Sequence, residues 1–165
     1  MTLPDRSNHI FPLRFALLAA LVLTTGCGKK DAELQQTHAY MDSLRIYLGD
    51  LRLMDHEINK AIAGDSVSAD LIVPMIAERL RPTVDDLRQR ADGLHPTPAV
   101  RSAHTLLISY LDVRLQAYDA ALRGQTEART ELFDLFSSKQ IEAQMIGRDL
   151  EEESRRLLSQ IPDYR

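Results

Sequence analysis

From Leu34 to Ile62 the chain keeps an unbroken register in alternating steps of three and four: Leu34, Thr37, Met41, Leu44, Leu48, Leu51, Asp55, Ile58, Ile62. An α-helix turns once in about 3.6 residues, so this spacing lays one stripe along one helical face. A helix with such a stripe buries it against other helices. Tyr40, Tyr47, Met54 and Ala61 widen the stripe. The pattern predicts a helix over residues 31–63, stopped at Gly64.

Three further segments repeat the pattern. Val73, Ile76, Leu80, Val84, Leu87 and Ala91 predict a second helix, capped by Ser66 or Ser68 and ending near Asp92. Pro74 and Pro82 fall inside it, and each removes a backbone donor, so a kink or interruption is expected. Residues 93–98 (GLHPTP) form the clearest connector, with Thr97 as N-cap and Pro98 as first helical residue. A third helix then runs to Arg123 on a seam of His104, Ile108, Leu111, Leu115, Tyr118 and Leu122. Gly124-Gln125-Thr126 reads as a turn, and a fourth helix spans 127–160 on Leu132, Phe136, Ala143, Ile146, Leu150 and Leu157. No stretch alternates apolar and polar residues with β-branched enrichment, so no strand is expected. Short connections favour antiparallel neighbours. The fold expected for residues 31–165 is therefore an all-α, antiparallel, up-down-up-down four-helix bundle.

The first thirty residues follow another logic. Arg6 and Arg14 precede a fully apolar run, FALLAALVL at 15–23, which ends abruptly at Thr24-Thr25-Gly26-Cys27. A basic start, a short apolar stretch and small residues describe an export signal, and nine apolar residues fall short of the roughly 20 a spanning helix needs. Leu23-Thr24-Thr25-Gly26-Cys27 resembles the lipobox of bacterial lipoproteins. The resemblance covers residues 1–27 and implies removal of 1–26, acylation of Cys27, and a short linker over 27–30. It also implies a membrane partner through the lipid. Gly28, in place of an aspartate, implies the periplasmic face of the outer membrane where a second membrane exists. Cleavage without acylation is the alternative, leaving a free thiol.

Composition narrows the function. A chain of 165 residues suits one domain. A single cysteine excludes an intramolecular disulfide and any CxxC or CxxCH site. A net charge of −4 argues against nucleic acid as a partner.

Three groups of residues stand out. Asp55 interrupts the apolar seam of the first helix, and Arg114 lies at a similar height on the third, so the two are expected to form an ion pair that sets helix register. His38, His95 and the acidic run at 149–153 fall at similar heights, with His104 about one turn away, which makes a zinc or copper site the alternative reading of that end. Ala143 and Gly147 permit close approach of a neighbouring helix. No serine is spaced to a histidine for nucleophilic catalysis, and no Glu-x-x-His pair is present for a di-iron centre. The reading is a non-enzymatic envelope lipoprotein without cofactor, a scaffold or interaction module with a possible envelope protein partner. A periplasmic bundle binding a small ligand or metal is the alternative.

Overall fold

The computed structural model describes the backbone of residues 11–62 and 69–161, and side chains over 29–60 and 72–161. Within these residues every regular element is helical. The chain is an all-α four-helix bundle with antiparallel neighbours. The first rod is α1 (Phe11–Ile62). The second is α2 (Ala69–Met75), a π-helical turn (Ile76–Leu80) and α3 (Arg81–Asp92) in succession. A 3₁₀ turn (Pro98–Val100) leads into α4 (Arg101–Glu127), and α5 (Thr130–Gln160) completes the bundle. Residues 37–165 form one compact unit and residues 1–36 another. Of the latter, the described part is the N-terminal portion of α1, whose Lys29 to Glu33 are exposed. Residues 1–10 of the expected signal, and the Gly64, Ser66 and Ser68 boundary positions, lie outside the described residues; Cys27 is described as backbone only. Among the residues whose side chains are described, no helix is long and apolar enough to cross a membrane.

The break in the second rod follows from its prolines. Pro82 offers no N–H to the preceding turn, and its ring needs room. The turn widens accordingly: the Arg81 N–H reaches back five residues to the Ile76 carbonyl, and the Thr83 hydroxyl donates to the Arg79 carbonyl at 2.8 Å. Ile76, Leu80, Val84 and Leu87 stay fully buried through the transition, so the wide turn keeps the apolar face on the core.

The element bounds differ in detail from the sequence expectation. α1 spans Phe11–Ile62, where the apolar seam places a helix from near Asp31. Thr97 stands at the N-cap of the 3₁₀ turn with Pro98 first in it, but its hydroxyl bonds the Thr37 hydroxyl at 2.7 Å instead of a backbone N–H, tying the connector to α1. Gly124 is helical and buried, because Phe133 packs where its side chain would be: a Cβ there would meet the Phe133 ring at 2.9 Å. The chain turns instead at Ala128, in the left-handed region (φ 51°), with the Arg129 N–H donating to the Gly124 carbonyl at 3.0 Å.

Of the expected α4 seam Leu111 and Tyr118 are fully buried, but the rest of the buried face is rotated from it. Ala103, Leu107, Tyr110, Arg114, Ala117 and Ala121 are buried, whereas His104, Ile108, Leu115 and Leu122 are only partly so. Alanines on this face let α4 and α5 approach most closely. Ala143 of α5 is fully buried, and at Gly147 the Tyr110 ring of α4 sits 3.0 Å from where a Cβ would stand. α1 faces its neighbours with larger residues (Tyr40, Met41, Leu44, Leu51) and so stands further off. Exposed ion pairs join the rods: Arg81 to Asp119 and Arg88 to Asp112, both at 2.7 Å, clamp α3 to α4.

Candidate functional site

A polar cluster crosses the apolar interior at mid-height. Arg114, only 2% exposed, spends its guanidinium on three neighbours. Nε donates to the Tyr110 hydroxyl at 3.0 Å, Nη1 to Gln140 Oε1 on α5, and Nη2 to Asp55 on α1. The Tyr110 hydroxyl reaches both Asp55 oxygens at 3.1 Å, and the guanidinium lies 5.2 Å from the Tyr110 ring centre. One residue thus ties α1, α4 and α5 together, with the Asp55 and Arg114 side chains in contact. Burial alone would lower the Arg114 pKa, but Tyr110, Asp55 and Tyr118 outweigh it and hold the guanidinium charged. Burial likewise pushes the Tyr110 and Tyr118 phenols up, so both stay protonated. Two buried atoms beside this cluster, the Tyr118 hydroxyl and Gln140 Nε2, have no partner among the described residues.

The sequence reading foresaw Asp55 and Arg114 but missed Tyr110 and Gln140. Tyr110 lay outside the expected seam, and a glutamine four residues after Phe136 carries no signal that separates it from a solvated position. Lys139, next to Gln140 in sequence, pairs with Glu142 at 2.8 Å within its own helix.

The histidine site is corrected. Among the described residues no group of three His, Cys, Asp or Glu side chains could hold a metal ion. His38, His95 and His104 form no such group. His95 is exposed in the connector and His38 is half-buried. The His104 ring packs edge-on against Tyr40, with Nδ1 3.3 Å from the Tyr40 hydroxyl. Burial, then the Arg88 charge, lower the His104 pKa; Asp92 opposes them more weakly. Neutral His104 leaves Nδ1 able to accept the Tyr40 proton. The acidic run at 149–153 is split in the same way: Glu151 pairs with Arg52 of α1, while Glu153 takes Arg156 and the Ser102 hydroxyl. Those donors hold the Glu153 carboxyl down at about 2.

Where α1 stands off from α5 a cleft opens, with two chambers of about 280 and 400 Å³. Leu48 floors both, and Arg52 and Glu151 line both. The Arg52 Nε donates to Glu151 Oε1 at 2.9 Å, so this pair bridges the cleft at its middle. The smaller chamber reaches inward past Leu51 and Leu150 to Asp55 and Tyr110, and so opens onto the buried cluster. The larger is walled by Met41 and Leu158 with Arg45, Ser154 and Arg155. Arginines stand seven residues apart on both walls, Arg45 and Arg52 on α1, Arg148 and Arg155 on α5. That heptad spacing beside an apolar seam is the signal by which the cleft could have been read from the sequence. Six large apolar residues remain exposed on the same two helices: Ile46, Leu53, Leu135, Ile141, Met145 and Leu158.

No protein-family model matches the chain, and neither a curated protein nor a solved structure matches it.

Proposed function

We propose that this chain is a lipid-anchored protein of the cell envelope whose helical bundle works without catalysis, as an interaction module. The anchor rests on the sequence alone: Arg6 and Arg14, the apolar run at 15–23, and the Leu23–Cys27 box. Acyl chains on Cys27 would add roughly 0.8 kcal/mol per buried CH₂, and two or more chains hold a protein stably at a bilayer. Where the source has two membranes, the periplasmic face of the outer one is the expected address.

The observation that carries the interaction reading is the α1–α5 cleft, an apolar floor between two rows of arginine. Concave apolar surface with a few placed polar groups is the usual form of a binding site. The buried cluster supports a non-catalytic bundle, because Arg114 directs its donors at Tyr110, Gln140 and Asp55 and so holds helices in register. Cell fractionation tests the anchor. The wild-type chain is expected in the membrane fraction and resistant to carbonate wash, and Cys27→Ser is expected to lose that attachment to lipid. Equal carbonate resistance in both, with no lipid on either, would overturn the reading.

A further inference from the structure

We propose that the α1–α5 cleft takes a long-chain fatty carboxylate, with its head between Arg45 and Arg155 and its alkyl chain laid beneath the Arg52–Glu151 bridge. The proposal rests on the interaction reading of the same cleft and gives its occupant a chemistry.

Shape decides first. The two chambers share Leu48 below and the Arg52–Glu151 pair above, so an occupant filling both has to pass under an ion pair closed at 2.9 Å. An α-helix with side chains is about 10–12 Å thick and fits there only if the bridge breaks. A methylene chain is far slimmer than a helix and leaves the bridge closed. From Met41 to Asp55 the cleft runs about 21 Å along α1, and from Arg45 to Asp55 about 15 Å, at about 1.5 Å per residue. With C–C bonds of about 1.5 Å in a zigzag, the stretch inward of Arg45 takes roughly twelve extended carbons, and a longer chain bends within the same two chambers.

Charge then sets the direction. At the inner end the smaller chamber presents the Asp55 carboxylate, which already holds Arg114 and Tyr110 and would repel a second anion. The walls between carry Leu48, Leu51 and Leu150, suited to the tail, together with exposed Gln144 and Arg148; Arg148 is a single guanidinium on one helix and reaches only its own helix's Gln144 carbonyl. At the other end Arg45 and Arg155 face the larger chamber from opposite helices. Arg155 has no carboxylate partner among the described residues; its Nε reaches only its own helix's Glu151 carbonyl at 3.4 Å. Arg45 reaches Asp42 of its own helix only at 3.8 Å. Guanidinium forks pair with carboxylates through two parallel hydrogen bonds, so these two arginines supply what a carboxylate head requires.

The test uses the full chain in the cells that make it. A hexadecanoic acid bearing a photoreactive diazirine is supplied, the cells are irradiated, and labelled peptides are mapped by mass spectrometry. The label is expected on residues 41–55 and 147–158, competed away by excess hexadecanoate but not by hexadecanol. Arg45→Ala/Arg155→Ala is expected to lose it at least tenfold, while Arg101→Ala, which removes a charge outside the cleft, keeps it. Circular dichroism verifies that the variants stay helical, and the competition arm needs no variant. Label spread evenly, confined to the N-terminal segment, competed equally by the alcohol, or undiminished in the double variant would overturn the proposal. Acylation at Cys27 is read separately from the same spectra. Cleft labelling without that modification refutes the anchor alone, and the modification without cleft labelling refutes the proposed occupant alone.

Discussion

Asp55→Ala would remove the carboxylate that Arg114 meets, together with both Tyr110 contacts at 3.1 Å. Arg114 is 2% exposed, so its charge would stay in the interior with only Tyr110 and Gln140 as acceptors. Breaking a buried pair in this way costs about 3–5 kcal/mol. The Asp55 side chain is 34% exposed, and water entering through the cleft solvates part of what is lost, which puts the value near the lower end, about 3 kcal/mol. A bundle of ordinary stability, about 5–15 kcal/mol, loses a large fraction of it. Arg114→Met removes the buried charge itself and leaves Asp55 able to hydrate through the cleft, at about 2 kcal/mol. Asp55→Leu/Arg114→Met replaces both charges with apolar groups and is expected within about 1 kcal/mol of wild type. The assay is urea unfolding followed by circular dichroism at pH 7, completed as a double-mutant cycle with Asp55→Leu. With about 3 kcal/mol for the Asp55 change, about 2 for Arg114→Met and at most about 1 for the double variant, the expected coupling is about 4–5 kcal/mol. A coupling under about 0.5 kcal/mol would refute the reasoning, because the contact would then carry no energy that either residue owes to the other.

Ala128 occupies the left-handed region at φ 51°, where a Cβ is crowded, so Ala128→Gly is expected to raise stability by about 0.5–1 kcal/mol in thermal unfolding; a lower melting temperature would contradict the turn's role. His104 titrates below its ordinary value of 6.5 through burial and Arg88, so the folded state binds its proton less readily than the unfolded chain. Its contribution to stability is therefore full above pH 6.5 and is lost as the pH falls through the lower folded value. An NMR titration midpoint for His104 above 6.5 would refute this, as would an acid stability loss between pH 7 and 5 that His104→Phe leaves unchanged.

The helices were legible because their apolar residues are large and strictly spaced, as at Met41, Leu44, Leu48 and Leu51. Asp55 was legible for the opposite reason: one acid in an apolar seam has to find a partner, and Arg114 lay at the matching height. Alanine carries little hydrophobic signal, so the α4 face built on Ala103, Ala117 and Ala121 was displaced toward the bulkier Ile108, Leu115 and Leu122. Gly124 read as a helix stop, but its missing side chain makes room for Phe133, and an alanine took the left-handed position. Height along a bundle says nothing of the face, and matching heights at His38, His95 and His104 do not make a group able to hold a metal ion among the described residues. The cleft was hidden in plain charge: Arg45, Arg52, Arg148 and Arg155 look like solvated positions until two helices are known to stand apart.

The central claim is that residues 1–26 are an address and Cys27 is the joint between the bundle and the bilayer. The intact mass of the mature protein, isolated from the membranes of its source, tests this most directly. The account predicts a chain that begins at Cys27 and carries the added mass of a diacylglyceryl group, with or without a further acyl chain. An unmodified chain beginning at Cys27, or one that retains Met1, would contradict it.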